Sequence, residues 1–481
     1  MNIRLSRLQW ALVTALSILL VGYLYEWAHF FYDGMYYLST VSKPDFKAGL
    51  PVHDRWFHMQ ALWVLLKLSS GPSAFSFHLI QTVYRILMIL SLVIWWRVWC
   101  YVWTEKSAPA FGLFFMLTSP LSLYMPHQVT PDQWALFWAG LGTWNFFRTL
   151  NQSRQFWQIL SGPIFYLAFL SRSDGLLLPA VLIGVCFCMG YASRRVMMQA
   201  ILFSLAGFLP LFLWHLSVTG LKQLMPMLVT IWKLNQSGVF VTFKNSLAEI
   251  GNGTGWHALL ALFALTLWHE KKARILAVTC LILYSIFFFW ILQERAMVGR
   301  HTVQGALPLI ALGTVGFLRL VSIIPLNQKK IAASGLLVLT VYLHVPLANL
   351  GTAGLDLPRL KEIAETINQN ESSAVLLISD DPGYRFYEFY FPKNKTRNFY
   401  LCYAGGTYEQ KQEYRKVFKE QWGERYIASI EELKRVAHGK IYYMVNPGWS
   451  WLGDETSVSF KEVPALGSYK NFPLMQVYLE R

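Results

Sequence analysis

The sequence predicts a membrane-embedded all-α protein with a small α/β domain at its C-terminal end. Of its 481 residues, 54% are hydrophobic and only 14% are charged, whereas a soluble globular domain carries about 25% charged residues. Long apolar runs recur through the first 350 residues, and shorter alternating β-type and helical segments follow them. These observations predict a polytopic membrane domain at 1–350 and an extramembrane α/β domain at 351–481.

The apolar runs set the expected number of membrane spans. A span needs roughly 20 apolar residues, and fewer when the helix is buried among others. One further segment, 56–70, is too short and too amphipathic to span, and it is predicted to lie in the membrane interface. About eleven spans are predicted, at 9–31, 77–99, 109–125, 132–147, 156–171, 175–191, 197–216, 256–269, 274–292, 303–320 and 331–349.

Basic residues mark one side of this predicted membrane domain. The positive-inside rule places Arg4 and Arg7, which precede the first span, in the cytoplasm. We therefore expect a bacterial inner-membrane protein with a cytoplasmic N-terminus, a large first outer loop and a periplasmic C-terminal domain. Alternate loops place five further basic clusters on the cytoplasmic side, namely Arg97/Lys106, Arg148/Arg154, Arg194/Arg195, Lys271/Lys272/Arg274 and Lys329/Lys330.

The net charge of +15 does not indicate a nucleic-acid partner. From residue 351 onward the chain carries 17 basic and 17 acidic residues, so the whole excess lies in the hydrophobic part. A positive-inside bias and an anion-binding site explain that distribution better than a basic face for nucleic acid does.

The C-terminal part alternates helical and strand-like segments. LPRLKEIAETINQN and YEQKQEYRKVFKEQWGERY have helical periodicity, whereas SAVLLISDD, NFYLCYAGG and GKIYYMVNPG are strand-like. The alternation predicts a small α/β domain. Within it, SDDPG at the end of the first predicted strand is interpreted as a turn.

The first candidate site residue is a carboxylate in HFFYDGMYYLST, just past the outer end of the first predicted span. Asp33 is surrounded in sequence by Tyr32, Tyr36 and Tyr37. Tyrosine rings suit the face of a sugar, and a partly buried carboxylate can act as a general base. The alternative is an Asx turn or a helix cap, because Asp-Gly is common turn chemistry.

Two more outer segments carry candidate carboxylates. In TPDQW, Thr130 and Pro131 form an ordinary helix start, and Asp132 is either part of that start or a functional carboxylate. In LSRSDGLLLP, Arg172 and Asp174 lie between two predicted spans, where the alternative is a tight polar turn. Charges on the outer side run against the positive-inside bias, which makes a functional site the default hypothesis.

Two arginines precede the tenth predicted span in QERAMVGRHTVQGALP. Arg300 lies close to the expected start of a helix, where backbone N–H groups favour an anion, and Arg295 lies five residues earlier. Arginine binds phosphate with a planar fork of donors. The sequence therefore predicts a phosphate site here, with snorkelling of the arginine to the interface as the alternative.

Metal binding is left open. His53, Asp54 and His58 lie close together in sequence, but their spacing matches no recognised ligand motif. A divalent metal is possible but is not indicated by this spacing, and no other cofactor is expected.

Five short motifs together resemble one family. In order they are YDGMYYL, HDRWFHMQALWVLL, TPDQWALFW, SRSDGLLL and GRHTVQGALPLIAL. With the predicted topology, they resemble the GT-C superfamily of polytopic membrane glycosyltransferases, especially the branch with protein O-mannosyltransferases and lipid A aminoarabinose transferases. The resemblance implies a sugar donor linked to a polyprenyl phosphate and an inverting transfer on the outer face to a lipid, glycan or protein acceptor.

The resemblance also implies roles for individual residues. Asp33 matches the acidic residue of the first outer loop, the usual catalytic base, and Asp132 matches a second carboxylate found in some branches. Arg300 matches the basic residue near the donor phosphate. Arg172 and Arg295 are further candidate phosphate ligands that the resemblance does not itself assign. The remaining members of the expected substrate pocket are Tyr32, Tyr36, Tyr37, Asp54, Arg55, Asp174 and His301.

Other functions stay open at this point. A glycan ligase with a polyprenyl-diphosphate donor has a similar build and needs no strong carboxylate base. A transporter or flippase for lipid-linked sugars is disfavoured, because the charges gather on one face rather than at the membrane midplane. A structural assembly subunit that uses only the C-terminal domain is the last alternative.

Overall fold

The structure is a computed structural model whose described residues form two compact units. The helical unit contains described residues of 47–61 and 81–352, and the α/β unit contains those of 29–46, 62–80 and 353–481. The described residues are 30–43, 46, 55–102, 113, 116–125, 129–150, 155–220, 254–268, 270–286, 303–325, 335, 339, 342–343, 354–355, 357–370, 374–378, 381–390, 397–400, 413, 415–420, 423–444, 451–469 and 472–479.

The helices named below are numbered along the described part of the chain. They are α1 Tyr32–Val41, α2 Trp56–Leu68, α3 Ala74–Val102, α4 Pro120–Tyr124, α5 Pro131–Leu150, α6 Ser161–Ser171, α7 Leu177–Cys188, α8 Arg194–Thr219, α9 Trp256–Ala264, α10 Lys271–Ile286, α11 Val303–Ile323, α12 Leu357–Asn370, α13 Asp381–Tyr390 and α14 Ile430–Val436.

The strands are short. They are β1 Phe30–Phe31, β2 Gly354–Leu355, β3 Val375–Ile378, β4 Arg397–Tyr400, β5 Ile441–Met444, β6 Val458–Glu462, β7 Ser468–Tyr469, β8 Phe472–Pro473 and β9 Met475–Leu479.

Within the part of the chain that is described, two helices are long and apolar enough to cross a membrane. They are α3 and α8, which cover the predicted spans 77–99 and 197–216. The predicted interfacial segment 56–70 forms the 13-residue helix α2. The predicted spans 9–31 and 331–349 lie largely outside the described residues, so the count of eleven remains a prediction.

The helical unit relies on close approach between helices. Gly313 and Gly316 of α11 lie against α9, where a Cβ would meet the backbone of His257 and Leu260. Small residues at such crossings let helices approach closely, which compensates for the weak hydrophobic drive between helices in lipid. The large buried side chains Trp95 and Trp99 of α3 fill the space between the helices of this unit.

The α/β unit contains a five-stranded sheet in the order β4-β3-β5-β9-β6. Strand β3 runs parallel to β4 and β5, whereas β9 runs antiparallel to β5 and β6. All four residues of β3 are buried, as expected for a strand covered on both faces. The predicted α/β domain is thus present as a mixed sheet, and β6 and β9 were not anticipated from the sequence.

The turn predicted for SDDPG is wrong. Asp381 is the first residue of α13, so SDDPG leads into a helix, and Pro382 occupies a position in the first helical turn where its missing N–H costs nothing. Asp33 and Gly34, for which a turn or helix cap was the alternative interpretation, are helical residues near the start of α1. Asp-Pro-Gly and Asp-Gly are also compatible with the first turn of a helix, where an acidic residue is favoured by the helix dipole.

Candidate active site

Helix α5 begins with a capping box that places Asp132. Gln133 accepts hydrogen bonds through Oε1 from the backbone N–H of Thr130 at 3.3 Å and from its hydroxyl at 2.9 Å. The Gln133 amide donates to the carbonyl of Met125 at 2.8 Å. The predicted helix start at Thr130 and Pro131 is therefore confirmed, and Gln133 is the residue that reaches back over it.

Asp132 is buried and paired with an arginine 40 residues away in sequence. Its side chain is only 1% exposed, and it accepts a hydrogen bond from Arg172 Nη1. Arg172 also donates through Nε to Asp174 Oδ1 at 2.5 Å. The structure thus brings together three predicted site residues as one guanidinium between two carboxylates, which we name the Asp132–Arg172–Asp174 cluster.

Helix α11 is joined to this cluster by Gln304. Its Nε2 donates to the backbone carbonyl of Asp174 at 2.6 Å, and its Oε1 accepts from the N–H of Leu178 at 3.0 Å. The backbone between α6 and α7 is therefore fixed from both sides. Helix α11 begins at Val303 and carries Gln304, so the residues just before Val303 in the sequence lead into the start of the same helix.

The pocket beside the cluster is small. Its cavity volume of about 10 Å³ corresponds to room for about one water molecule. A cavity of this volume is too small for a sugar, so a substrate could enter it only if the surrounding helices moved. Its lining residues are Trp95, Asp132, Ala135, Leu136, Ala139, Arg172, Gly175, Leu178 and Gln304.

A chain of hydrogen bonds links α5, α3 and α2 near the same carboxylate. Trp134 Nε1 donates to the hydroxyl of Tyr84 at 3.0 Å, which leaves the Tyr84 proton for Nδ1 of His58 at 2.8 Å. Burial, followed by the positive charge of Arg55, lowers the pKa of His58 to about 3, against a smaller opposing effect of Asp132. His58 is thus neutral at physiological pH, with Nδ1 as an acceptor.

Asp33 belongs to the α/β unit, where it is the second residue of α1. The side chains of Asp33 and Tyr32 lie outside the described residues. Of the other predicted pocket tyrosines, Tyr37 is buried and Tyr36 is half exposed, with their ring centroids 5.9 Å apart. Their role at a sugar therefore stays a prediction.

Four further predicted site residues lie outside the described residues, namely Asp54, Arg295, Arg300 and His301. Arg55 is described and acts electrostatically on His58. Among the described residues no group of three or more His, Cys, Asp or Glu side chains could hold a metal ion.

Comparison with solved structures relates this architecture to known proteins. ArnT from Cupriavidus metallidurans, bound to undecaprenyl phosphate, aligns over 97% of both chains with a TM-score of 0.56 and 14% identity. The apo oligosaccharyltransferase of Archaeoglobus fulgidus aligns over 92% of this chain and 70% of its own, with a TM-score of 0.56 and 10% identity. The chain has the GT-C fold. The resemblance inferred from the sequence motifs is therefore confirmed.

Sequence comparison adds no closer relationship. No protein-family model matches the sequence, and no curated protein matches it either. At 14% and 10% identity, the likeness of this chain to these two structures is one of fold. Its helical part and its small C-terminal sheet both lie within the alignment to ArnT.

Several contacts around the candidate site were not predicted from the sequence. His58, Tyr84 and Trp134 are separated by 26 and 50 positions, and Gln304 lies 126 positions from Leu178. Single polar residues in apolar helices were the available signal, but their partners are set by helix packing. Gln133 carried a local signal, since Thr-x-x-Gln is a capping-box pattern.

Proposed function

We propose that this chain is a membrane glycosyltransferase that moves a sugar from a polyprenyl-phosphate-linked donor to an acceptor on the outer face of the membrane. The observation that carries the proposal is the alignment over 97% of both chains with ArnT, a structure that contains undecaprenyl phosphate. An alignment of that extent includes the helical unit and the α/β unit.

The proposed chemistry is a single inverting displacement with Asp33 as general base. An acceptor hydroxyl attacks the anomeric carbon, its proton passes to the Asp33 carboxylate, and the bond from the anomeric carbon to the phosphate oxygen breaks. The polyprenyl phosphate leaves with the bonding electrons and needs no general acid. The start of α1 supports an ionised Asp33, because the helix dipole favours an anion in the first turn.

The negative charge on the departing phosphate needs cationic stabilisation. Arg300 is our first candidate, since it lies three residues before α11 begins at Val303, and Arg295 is a further candidate. Arg172 is less suited to this role than the sequence predicted, because two carboxylates already compensate its charge.

Asp132 is proposed to support the site rather than to take part in the reaction. Its burial and its ion pair with Arg172 favour a structural carboxylate that holds the loop between α6 and α7. Breaking a buried pair leaves an uncompensated charge, so the Asp132–Arg172–Asp174 cluster makes this part of the helical unit rigid. The catalytic role predicted for Asp132 remains untested.

A second candidate function has its own supporting observation. The oligosaccharyltransferase of Archaeoglobus fulgidus shares the fold at the same TM-score, although this chain covers only 70% of its length. A ligase that moves a whole glycan from a diphosphate donor would depend on the basic residues and less on Asp33. The transporter alternative has no comparable support from these comparisons.

The test is transfer by purified protein in detergent or nanodiscs. One set of donors is a panel of polyprenyl-phosphate monosaccharides, and the other is a polyprenyl-diphosphate oligosaccharide, each labelled in the sugar. We expect transfer and release of polyprenyl phosphate with at least one monosaccharide donor and none from the diphosphate. Turnover of the diphosphate alone would favour the ligase, and movement of intact donor across the bilayer without cleavage would favour the transporter.

The proposed orientation rests on the basic residues of the alternate loops. It places the N-terminus in the cytoplasm and the α/β unit in the periplasm. A reporter that is active only outside the cytoplasm, fused after Arg481, should be active in intact cells. A fusion that is active only with a cytoplasmic reporter would overturn this orientation.

A further inference from the structure

The segment that carries Asp33 is held by contacts from the C-terminal part of the chain. Strand β1, directly before α1, pairs antiparallel with β2, with Phe30 opposite Leu355 and Phe31 opposite Gly354. Helix α1 itself packs against α13 of the α/β unit. Both contacts join elements that are more than 300 residues apart in sequence, so α1 is placed by the C-terminal part rather than by its neighbours in sequence.

At the centre of the packing between α1 and α13 is a buried arginine. Arg385 is only 9% exposed, and its Nη1 donates to the hydroxyl of Ser39 at 2.5 Å. The Ser39 hydroxyl donates in turn to the backbone carbonyl of Tyr36 at 3.2 Å. The guanidinium also lies 5.3 Å from the ring centroid of Tyr36. Arg385 therefore contacts α1 through the hydroxyl of Ser39 and the ring of Tyr36, and the hydroxyl is itself bonded to a backbone carbonyl of the same helix.

These contacts are specific to arginine. A guanidinium presents several donors in a plane and can lie over an aromatic ring while it donates, whereas an ammonium is a compact point charge. Burying such a cation is costly unless its surroundings are organised to receive it. The contact between Arg385 and α1 is thus a defined geometry, not incidental surface packing.

Helix α13 is itself fixed, so it can serve as a reference for α1. Tyr390 bonds with His78 Nε2 at 2.9 Å, and Phe386 packs edge-on against Phe77. The Tyr387 hydroxyl donates to the carbonyl of Leu360 on α12 at 2.8 Å. Packing against β3 and β4 sets the position of α13 relative to the sheet.

We propose that Arg385 is a positioning residue that sets the place of α1, and with it the backbone of Asp33, for sugar transfer. The inference rests on the proposed role of Asp33 as general base. Asp33 and Tyr36 are three positions apart, which makes them neighbours on the helix surface. A shift of α1 when Arg385 is lost would therefore move the start of the helix together with the residues that Arg385 contacts.

The kinetic test compares Arg385→Met, Arg385→Lys and Ser39→Ala with wild-type protein at saturating donor. A displacement of about 1 Å can cost 100-fold in rate, so we expect Arg385→Met to lower turnover by about tenfold to 100-fold with little change in donor KM. Arg385→Lys should restore part of the rate, and Ser39→Ala should lower it without touching α13. Loss of donor binding with unchanged turnover would overturn the proposal.

Arg425→Met is the matched control. Arg425 is an arginine of the same unit whose Nε lies 3.3 Å from Glu388 Oε1 on the same helix α13, and it is largely exposed. We expect Arg425→Met to keep wild-type turnover. A loss equal to that of Arg385→Met would mean that any weakening of α13 lowers the rate, and the positioning role would be rejected.

A double variant separates the inference from the proposed function. If Arg385 acts through Asp33, adding Arg385→Met to Asp33→Asn should lower the rate no further than Asp33→Asn alone. A further drop by the same factor as in the wild-type background would overturn the positioning role. A wild-type rate for Asp33→Asn would instead overturn the general base.

A distance measurement tests the position of α1 without any activity. The exposed residues Lys43, after α1, and Lys416, in the α/β unit, are changed to cysteine and spin-labelled, with the five native cysteines replaced by serine. Arg385→Met should shift or broaden the distance distribution, and Arg425→Met should leave it unchanged. An unchanged distribution in Arg385→Met would overturn the proposal whatever the rates are.

Discussion

Asp33 and Asp132 occupy the same local position, because each is the second residue of a helix, but their surroundings differ. Asp132 lies in the helical unit, buried and paired with Arg172, which also binds Asp174. Asp33 lies in the α/β unit at the start of α1, a helix held by Arg385. A similar helix start can therefore support an internal ion pair in one unit and a proposed catalytic base in the other, with long-range partners making the difference.

The largest effect is expected for Asp33→Asn, which tests the proposed catalytic role of Asp33. Asp33→Asn keeps the shape of the side chain and removes the base, and general base catalysis contributes about 10²–10⁴-fold. We expect turnover to fall by that factor while donor affinity stays close to wild type. Turnover with a polyprenyl-phosphate sugar is measured beside direct binding of the donor. A small effect here with a large one at Arg300 would indicate an acceptor that is already ionised, or the ligase.

The next effect concerns the phosphate. If Arg300 binds the donor phosphate as proposed, Arg300→Ala removes a charge-assisted hydrogen bond worth about 1.5–3 kcal/mol, which corresponds to roughly tenfold to 100-fold in donor affinity. Because the phosphate gains charge as it leaves, transfer should slow together with binding, and Arg300→Lys should recover only part. Arg295→Ala is the comparison variant. Wild-type donor affinity in Arg300→Ala would remove this residue from the donor site.

Local structure around the candidate sites could be predicted from the sequence, whereas long-range contacts could not. The helix start at Asp132 was predictable, because Thr130, Pro131 and Gln133 form a local capping pattern. The partner of Asp132 was not, since Arg172 becomes its neighbour only when α5 and the loop after α6 pack together. The same holds for Arg385 and Ser39, which are 346 residues apart.

Turn signals were the least informative local pattern in the sequence. Asp33-Gly34 and Asp381-Pro382 indicate turns by composition, yet both lie in first helical turns. Local chemistry could not separate these cases, because the residues that favour turns also favour helix starts. The packing of α1 and α13 against each other stabilises both helices, and that contact is invisible in either segment alone.

The structural role of the Asp132–Arg172–Asp174 cluster is tested by the unfolding temperatures of variants. Arg172→Met leaves Asp132 and Asp174 without their shared cation, and breaking a buried pair from one side costs about 3–5 kcal/mol. We expect a clearly lower unfolding temperature in detergent, with Arg148→Met, an exposed arginine over Trp144, as the control. Adding Asp132→Asn and Asp174→Asn should recover most of the loss. If the triple variant stays as unstable as Arg172→Met, charge compensation is not the reason for the cluster.

A further expected effect is a pH dependence of stability at His58. Its pKa of about 3 in the folded state lies below the usual value of 6.5, so the unfolded state binds more protons below pH 6.5. The stability that depends on neutral His58 is complete above pH 6.5 and is lost as pH falls toward 3. Between pH 6.5 and 5.0 the loss is about 2 kcal/mol.

His58→Asn isolates this contribution, because the amide oxygen can accept from Tyr84 as Nδ1 does and does not titrate. We expect its unfolding temperature to depend less on pH between 7.5 and 5.0 than that of wild type. His438→Gln, at an exposed position of the α/β unit, should behave as wild type. An identical pH dependence in His58→Asn and wild type would show that His58 is accessible to protons in the folded protein.

In the proposed mechanism Asp33 serves the chemistry and Asp132 the architecture. The most direct measurement is the single-turnover rate of sugar transfer per folded molecule, at saturating donor, for Asp33→Asn and Asp132→Asn side by side. We expect a fall of about 10²–10⁴-fold for Asp33→Asn with normal folding, and a rate close to wild type for Asp132→Asn once the folded fraction is corrected for. A wild-type rate for Asp33→Asn, or an equally large loss for fully folded Asp132→Asn, would contradict it.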